Sequence, residues 1–400
     1  MTEPELLTPV DGEAILANAQ TVRPILAAAG EEIDAARRLP EHIVALLKRT
    51  GVFRFAFPKT WGGPEVDPMM QIRIIAALSA GNGSAGWCAM IGSDAGFLSA
   101  FMDQDSARAM WPDIDLPIGV TAFPPGKAVV VEGGYRLTGR WPYGSGCQHS
   151  GWMGGNCVII ENGAPRMLAN GQPATVIPFV RAGEFEIFDT WDTTGLRGSG
   201  SHDWGVTDYF VPENQTADGL GIGKSRREGP LYALPMWFLA NQAGVPIGLA
   251  HGALDAAIEI LRSKKSMGSV ATAGQPHIHH AIGHAIARLG AAEAYVFATV
   301  TALWELVCSG ARPTSKQFLE YRLCNTHAHK ECLAVVDSLY EACSGSALYL
   351  PNAMDRYMRD MRTANQHVVA SAAMYFDMGK AVLEVDRPQA ESPPAGNPRP

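Results

Sequence analysis

The chain has 400 residues, of which 47% are hydrophobic, and a formal net charge of −8 at pH 7. This length and composition are typical of a globular chain with enough apolar material to enclose a cofactor. The negative charge and the scattered Lys and Arg residues argue against a nucleic-acid partner, because phosphate binding needs a concentrated basic face.

The cysteines and the apolar runs indicate the cellular compartment in which the protein is expected. Seven cysteines extend from Cys88 to Cys343 without a CxxC pair, which indicates reduced, mostly buried thiols. The amino terminus is acidic and polar, and each long apolar run contains a charge, a histidine or a proline before it could span a bilayer. We therefore expect a cytoplasmic protein without a membrane segment.

The first hundred residues have a helical pattern. Apolar side chains recur at spacings of three and four, as at Ile15 and Ala19. Glycine-containing stretches interrupt the pattern at residues 57–63 and 81–84. We predict an amino-terminal α-helical domain over residues 1–115.

The pattern changes to short β-branched and aromatic runs between residues 117 and 212, with Gly, Pro, Asn and Asp between them. The runs AVVVE and YRLTGRW are separated by Gly133 and Gly134, which can supply the positive φ values of a primed two-residue turn. We predict a β-hairpin there, inside a central antiparallel β-domain over residues 116–215.

Helical periodicity returns after Gly229 and continues to about Glu384. Its alanine-rich faces favour close helix packing, so we predict a carboxyl-terminal four-helix bundle over residues 216–386. The Pro-rich residues 387–400 predict a disordered tail. The order of helices, strands and helices defines an α+β fold class.

Two glycine-rich strings superficially suggest phosphate loops. In GLGIGKS (219–225), the first glycine of a P-loop would fall at Asp218, and the string lacks a preceding strand and a following helix. GNGSAG (81–86) matches GxGxxG, but it follows a helical pattern instead of a strand. Both strings are better interpreted as loops than as nucleotide sites.

Two groups of His and Cys residues have spacings that metal sites use. The first group comprises His277, His279, His280 and His284, and the second comprises His327, His329 and Cys332. No carboxylate or thiol lies at ligand spacing beside the first group, and helices with polar faces explain both groups. We predict no metal site.

Four segments occur in an order that is found in the acyl-CoA dehydrogenase superfamily. They are PKTWGG (58–63), GSAGW (83–87), TAFPPGKAVVVEGGYRLTGRWPYGSGCQHSGW (121–152) and DTWDTTGLRGSGSHDWGVTDYFVPE (189–213). The chain resembles this superfamily over essentially its whole length before the tail. Its versions GGYRLTGRWPYGSG and GLRGSGSHD resemble the monooxygenase branch, which includes p-hydroxyphenylacetate hydroxylases, a steroid-degradation hydroxylase, dibenzothiophene monooxygenases and nitrososynthases.

A segment near the carboxyl terminus separates the branches of this superfamily. The dehydrogenases carry a glutamate in an EGT sequence shortly after an Arg-Asp pair, and that carboxylate removes the α-proton of the thioester. Here Arg359 and Asp360 are followed by MRTANQHVVAS, with no Glu before Glu384. The base for α-proton abstraction is therefore missing from that place, although some dehydrogenases carry it elsewhere.

The resemblance implies the oxygenase component of a two-component flavin-dependent monooxygenase. Such a protein takes reduced FMN or FAD from a separate flavin reductase and uses O2, through a flavin C4a-hydroperoxide. It hydroxylates, or oxygenates at N or S, a small aromatic or heteroaromatic substrate. The resemblance also implies a homotetramer.

The resemblance assigns cofactor contacts to several residues. Ser145 matches the residue that approaches flavin N5, and Trp141 matches the aromatic residue beside the isoalloxazine. Thr121 and Ala122 fall where a strand end meets the flavin pyrimidine. Further candidates for the flavin or its phosphate are Arg197, Ser199, Ser201, Arg262 and Lys264. The alternatives are a turn serine, a core tryptophan, a loop–strand junction and, for the last two cations, a solvated helix end.

His367 matches the histidine of the monooxygenases. An imidazole titrates near neutral pH, so it can deprotonate a substrate hydroxyl or N–H, or protonate the leaving flavin hydroxide. A satisfied helix histidine is the alternative. Several aromatic hydroxylases have a second histidine where this chain has Asp94 and Ala95. Either Asp94 replaces it, or the substrate is an electron-rich heteroaromatic, amine or sulfur compound that needs little activation.

Two other functions stay open. An acyl-CoA dehydrogenase-type flavin oxidoreductase predicts tightly bound oxidised FAD that an acyl-CoA bleaches. A flavin-binding or catalytically dead partner in a biosynthetic complex is the third possibility. The colour of the purified protein separates the first two, since a dehydrogenase is expected to be yellow and a monooxygenase of this kind nearly colourless.

Overall fold

The computed structural model describes residues 4–219, 225–264, 271–349 and 352–385. Residues 220–224 of the GLGIGKS string and the whole predicted tail, 387–400, lie outside the described residues. Helices, then a sheet, then helices follow one another along the chain. This order and the α+β fold class agree with the prediction.

Seven α-helices precede the sheet. They are α1 (Gly12–Ala28), α2 (Gly30–Ala36), α3 (Glu41–Thr50), α4 (Pro68–Gly81), α5 (Gly83–Gly92), α6 (Ala95–Leu98) and α7 (Gln104–Met110). A single residue, Asn82, separates α4 from α5, and its side chain caps α5 by accepting from the Ala85 N–H at 3.0 Å. The GxGxxG string therefore spans a junction between two helices, as predicted.

The central strands form one sheet with the order β6-β7-β2-β1-β3-β5-β8, and β4 pairs with β3. The strands are β1 (Ile118–Val131), β2 (Gly134–Gly144), β3 (Trp152–Glu161), β4 (Ala164–Pro165), β5 (Thr175–Arg181), β6 (Glu186–Phe188), β7 (His202–Pro212) and β8 (Thr216–Asp218). All pairs are antiparallel except β1 with β3, which run parallel. The sheet is mixed because β3 returns to the free side of β1 after the β1–β2 hairpin.

The predicted hairpin of β1 and β2 is present, but its turn lies one residue earlier than expected. Val131 pairs with Gly134, so Glu132 and Gly133 form the turn, and of the two glycines only Gly133 has a positive φ (77°). Gly134 opens β2 instead. A Cβ there would lie 2.2 Å from the Val211 carbonyl oxygen, so close strand packing requires this glycine.

Five helices follow the sheet: α8 (Gly244–Ser263), α9 (Pro276–Cys308), α10 (Ser315–Cys343), α11 (Ala353–Ala364) and α12 (Ala373–Val385). Helix α10 packs against α8, α9, α11 and α12, and α8 packs against α4. Gly244 and Gly248 face α4, where a Cβ would lie 2.5 Å and 2.2 Å from backbone oxygens of that helix. This close contact joins the two helical parts and fixes the segment before α8.

Helices α8 and α9 are long and apolar enough to cross a membrane by length and composition alone. The sequence argument excluded a membrane segment because a charge, His or Pro interrupts every long apolar run. That criterion is therefore too strict. Most of the apolar window of α8 is buried inside the protein, as in a core helix, whereas only 28% of the α9 window is buried. Most of the apolar window of α9 is therefore not buried by the residues that the structure describes.

Candidate active site

A chain of buried hydroxyls lies where the sheet meets the amino-terminal helices. Ser145 Oγ is 2.7 Å from Ser201 Oγ, which is 2.7 Å from Ser199 Oγ. The indole N–H of Trp87, on α5, donates to Ser145 Oγ at 2.9 Å. All four residues are buried. The structure thus brings the three predicted serines together and adds a tryptophan to them.

Two strained turns hold these serines. Ser145 lies between Tyr143 (φ 60°) and Gly146 (φ 72°), and the Gly146 N–H donates to the Ser199 carbonyl at 2.9 Å. The 3-10 turn that contains Ser199 is flanked by Leu196 (φ 49°) and Gly200 (φ 52°). Positive φ at non-glycine residues is unfavourable, so the surrounding bonds must impose these conformations.

Asp360 supplies one such bond from α11. Its Oδ1 accepts from the Leu196 N–H at 2.6 Å, which attaches the serine loop to the carboxyl-terminal helices. Burial and the nearby charge of Asp34 raise the pKa of the Asp360 carboxyl to about 7. Asp360 is the aspartate of the Arg-Asp pair in the sequence. Its role in this structure is to hold the serine loop.

His367 lies on the other side of Trp87. The two ring centroids are 5.6 Å apart with an interplanar angle of 76°, an edge-to-face contact. Trp87 therefore touches both Ser145 and His367, which with Asp94 are the three residues predicted to act in catalysis. Burial lowers the pKa of His367 to about 4, so the imidazole is neutral at neutral pH.

The segment before α8 reaches across to His367. Gln242 is buried, and its Nε2 is 2.9 Å from His367 Nδ1. The neighbouring Asn241 donates from Nδ2 to the Met90 carbonyl at 3.2 Å and to Ser93 Oγ at 3.0 Å. Residues 239–242 are therefore bound to α5 and to His367 at the same time.

Asp94 lies at the start of α6 and is buried. Its Oδ2 accepts from the Leu239 N–H at 3.0 Å, and Leu239 has a positive φ of 58°. Burial raises the pKa of the Asp94 carboxyl well above its ordinary value. Asp94 thus supports the segment that carries Gln242, and no described hydrogen bond joins it to His367.

His329 is a second buried histidine near this site, on α10. Neither ring nitrogen has a hydrogen-bond partner among the described residues. Burial, and to a smaller extent the charge of His367, lowers the pKa of His329 to about 3. The side chain is therefore neutral at neutral pH and close enough for His367 to influence it.

The pairing of β1 with β3 is irregular at the predicted flavin contact. The pairing of β1 with β3 breaks between Thr121 and Gly126, and Phe123 in this gap is 72% exposed. The Thr121 hydroxyl accepts from Trp204 Nε1 at 3.2 Å, and the Ala122 carbonyl accepts from Asn156 Nδ2 at 3.3 Å. Residues between Thr121 and Gly126 are consequently outside the regular pairing of β1 with β3.

Trp141 lies in the core of the sheet domain. This position agrees with the alternative of a core tryptophan and not with the predicted stacking on a flavin. Its side chain has no exposed surface and stacks on Trp204 at 4.4 Å between centroids. Gly126, Gly139 and Gly155 approach its ring so closely that a Cβ at any of them would lie 2.4–2.6 Å from a ring atom. The ring has no face left for a cofactor.

The three predicted cations have other surroundings. The Arg197 guanidinium pairs with Asp192 at 2.9 Å and donates to the Thr193 carbonyl at 2.7 Å. Arg262 is exposed in the last turn of α8. Lys264 Nζ donates to the Cys343 carbonyl at 3.1 Å. In the described part of the chain, no hydrogen bond joins any of them to the serines.

The two groups considered as metal sites are helical. His280 and His284 stack on one face of α9, with ring centroids 6.0 Å apart. Across the described ranges, no three His, Cys, Asp or Glu side chains come together as ligands.

Sequence reasoning missed three residues of this site. Trp87 ends the GSAGW motif, so that motif could have identified it. Gln242 and His329 have no motif, and only the packing of the segment before α8 and of α10 brings them to His367. A lone Gln or His in a helical pattern gives no such signal.

The fold and this site define an enzyme of the acyl-CoA dehydrogenase type whose site lacks the expected glutamate. Family models described as acyl-CoA dehydrogenase, N-terminal domain and C-terminal domain match residues 17–112 and 240–372. The chain is 30% identical to indole-3-acetate monooxygenase of Acinetobacter baumannii, over 87% of this chain and 88% of that protein. The chain belongs to the acyl-CoA dehydrogenase family and, within it, to the flavin-dependent monooxygenases.

Two further similarities agree with this assignment. The flavin-dependent monooxygenase oxygenase subunit HsaA of Rhodococcus jostii is 28% identical over 86% of this chain and 91% of that protein. The crystal structure of the HsaA monooxygenase from M. tuberculosis superposes with a TM-score of 0.84 at 25% identity, covering 93% of this chain and 97% of that chain.

Proposed function

We propose that this chain is the oxygenase component of a two-component system that receives FMNH2 or FADH2 from a separate flavin reductase. It uses O2 to introduce one oxygen atom into a small aromatic or heteroaromatic substrate. The observation that carries the proposal is the contact of Trp87 with both Ser145 and His367. A neutral imidazole lies after α11, where a dehydrogenase of this fold needs a carboxylate.

The residues present fit a flavin. A flat, polar-edged ring needs backbone donors and hydroxyls on one side and apolar surface on the other. The gap in β1 after Thr121 offers backbone groups, and the hydroxyls of Ser145, Ser199 and Ser201 form a buried polar chain nearby. We propose that these residues, with Ala122, hold the isoalloxazine.

When bound, the reduced flavin supplies the electrons that activate O2. The protein groups provide a dry, oriented environment for that chemistry. Trp87 fills the space between Ser145 and His367 and excludes water from it. Ser145 already accepts from Trp87, so its own proton is free to be donated to Ser201 or to a ligand.

The dehydrogenase alternative lacks a base in this structure. The buried carboxyl groups near the site are Asp94 and Asp360, and both accept backbone N–H groups that shape the fold, from Leu239 and Leu196. Among the described residues, no hydrogen bond or ion pair joins a glutamate to Trp87, Ser145 or His367. Abstraction of an α-proton from a thioester therefore has no evident acceptor.

We also infer that the active form is a homotetramer in the cytoplasm. Most of the apolar window of α9 is not buried within the chain, and α12 exposes several large apolar side chains. These are Tyr375, Phe376, Val382 and Leu383. Exposed apolar patches of this kind mark contact surfaces. A stable monomer in light scattering at micromolar concentration would contradict the tetramer.

Isotope labelling tests the proposed reaction. The protein is supplied with chemically reduced FMN or FAD, ¹⁸O2 and a panel of aromatic compounds that begins with indole-3-acetate, the compound named for the A. baumannii relative. We expect a product that carries one ¹⁸O atom. Bleaching of bound oxidised flavin by an acyl-CoA, or a product labelled from water, would overturn the proposal.

A further inference from the structure

His367 accepts hydrogen bonds at one ring nitrogen from two directions. Gln242 Nε2 is 2.9 Å from Nδ1, and the Val369 backbone N–H donates to the same atom at 3.4 Å. The backbone bond makes His367 the cap of the 3-10 turn Val368–Ala370. Because a backbone N–H can only donate, Nδ1 must carry its lone pair whichever way the Gln242 amide is turned.

This geometry fixes the position of the imidazole proton. A neutral imidazole has one N–H and one lone pair. With the lone pair at Nδ1 engaged, the proton is on Nε2, which has no hydrogen-bond partner among the described residues. Nε2 can then donate a hydrogen bond, but it has no lone pair with which to remove a proton. The acid–base role expected from the sequence does not fit this tautomer.

The surroundings of His367 favour the same neutral state. The ring is packed against Trp87, and burial lowers its pKa to about 4. His329 on α10 also has a lowered pKa, about 3, through burial and to a smaller extent through the charge of His367. Neither imidazole is charged at neutral pH, so neither changes the protonation of the other.

Gln242 is itself held in place by the segment on which it lies. Asn241 bonds to Met90 and Ser93 of the α5 region, and Asp94 accepts from Leu239. The positive φ of Leu239 shows that this segment is kept in an unfavourable conformation. The position of the Gln242 amide is therefore determined by contacts outside the imidazole that it touches.

We propose that Gln242 is a positioning residue that keeps His367 in the Nε2–H tautomer, so that His367 donates a hydrogen bond to an acceptor atom of the substrate. The inference rests on the proposed monooxygenase function and refines its substrate class. The substrate presents an oxygen or nitrogen lone pair to Nε2–H, and its ring is electron-rich enough to react without losing a proton to His367. Phenols that need deprotonation are excluded unless another group removes the proton.

Gln242→Glu tests the proposal, because a carboxylate accepts where the amide donates. A carboxylate would accept from a protonated Nδ1, which favours the imidazolium below the new midpoint and, above it, the neutral tautomer with its proton on Nδ1 and a lone pair on Nε2. Gln242→Met keeps the size and removes the donor. Gln366→Glu is the matched control. Gln366 is exposed and adjacent to His367, and the substitution introduces the same charge.

The direct readout is the exchange of the histidine C2 proton for deuterium as a function of pH, in flavin-free protein. The tryptic peptide 363–380 contains His367 as its single histidine, so its titration is resolved by mass. We expect His367 to titrate well below neutral pH in the unmodified protein and in Gln366→Glu, and to move to neutral pH or above in Gln242→Glu. An unchanged midpoint in a folded Gln242→Glu protein would overturn the proposal.

The second readout is the yield of product per O2 consumed, for a panel compound that the unmodified protein oxygenates. At a pH above the His367 midpoint of each protein, we expect a loss of about tenfold or more in Gln242→Glu, a smaller loss in Gln242→Met and none in Gln366→Glu. Equal yields in Gln242→Glu and the unmodified protein would also overturn the proposal. If the unmodified protein oxygenates nothing, the proposed function fails, and the exchange experiment still decides whether the group at position 242 controls the protonation of His367.

Discussion

Trp141 and Trp87 are both buried tryptophans in motifs shared with the acyl-CoA dehydrogenase superfamily, yet their surroundings differ. Trp141 stacks on Trp204 inside the sheet, is enclosed by three glycines and donates to the Asn156 carbonyl at 3.1 Å. Trp87 lies between helices and sheet, and its neighbours are a serine and a histidine. The first tryptophan serves packing, and the second connects polar groups.

Buried polar atoms without a hydrogen-bond partner among the described residues occur in both regions, and beside Trp141 such an atom is Asn156 Oδ1. Around Trp87, buried Asn241 Oδ1, Asn365 Oδ1 and both nitrogens of His329 have no partner among the described residues. Unpaired buried polar atoms cost stability, so natural proteins keep them mainly where a ligand or water can pair with them.

The largest effect is expected for His367→Ala. Loss of the Nε2–H donor should lower the rate of product formation by about 10²- to 10³-fold and raise hydrogen peroxide release, with reduced-flavin binding largely intact. Stopped-flow and product assays measure both quantities. A parallel loss of melting temperature and flavin affinity, with the product yield unchanged, would mean that His367 only packs.

A matched pair of substitutions tests the comparison between the tryptophans. Trp141→Phe should reduce the free energy of unfolding by about 1–3 kcal/mol, since it leaves a cavity among the glycines and an unpaired Asn156 carbonyl. Its product yield per O2 should not change. Trp87→Phe removes the donor to Ser145 and should lower that yield instead. If both variants changed the same property, the distinction would be wrong.

Ser145→Ala should have a smaller effect. Trp87 Nε1 and Ser201 Oγ would each lose a partner, which costs about 1–3 kcal/mol and corresponds to a roughly tenfold or greater increase in the share of O2 released as peroxide. Ser150→Ala is the control, because Ser150 is a buried serine of the same turn that bonds only to the Gly146 carbonyl at 2.9 Å. Equal peroxide release from both variants would mean that Ser145 is only a turn residue.

His329→Leu should have the smallest effect, confined to acid. The folded-state pKa of His329 is lowered to about 3, so the unfolded chain binds the extra proton first as the pH falls below about 6.5. Stability from this group is complete above that pH and is lost on acidification, at most by about 1.4 kcal/mol per pH unit. The variant should lose less stability than the unmodified protein between pH 6.5 and pH 5. Parallel curves would contradict a buried neutral His329.

The sequence predicted the layout of the fold because its signals there are local. The change from helical to strand patterns, and the Asn82 cap, can be read within short windows. The sequence also predicted Ser145, Ser199 and Ser201 as candidate flavin contacts from motifs of the resemblance, and the structure brings their hydroxyls together. It failed where the decision depends on packing.

Three residues show why packing could not be predicted. Trp141 had two possible places, and only the glycines of β1, β2 and β3 determine that it lies in the core. The turn at Gly133 lies one residue earlier than predicted because Gly134 has to pack closely against β7. Gln242 is distant in sequence from His367, and the fold alone brings the amide to the imidazole.

The most direct test of the account is an anaerobic titration of the purified protein with oxidised and with reduced flavin, followed by the quenching of Trp87 fluorescence. The Trp87→Phe variant identifies the signal of that residue. If the chain receives reduced flavin from another protein, the reduced form should bind at least about tenfold more tightly, which corresponds to about 1.4 kcal/mol. Equal affinities, or tight co-purifying oxidised FAD that an acyl-CoA bleaches, would contradict the account.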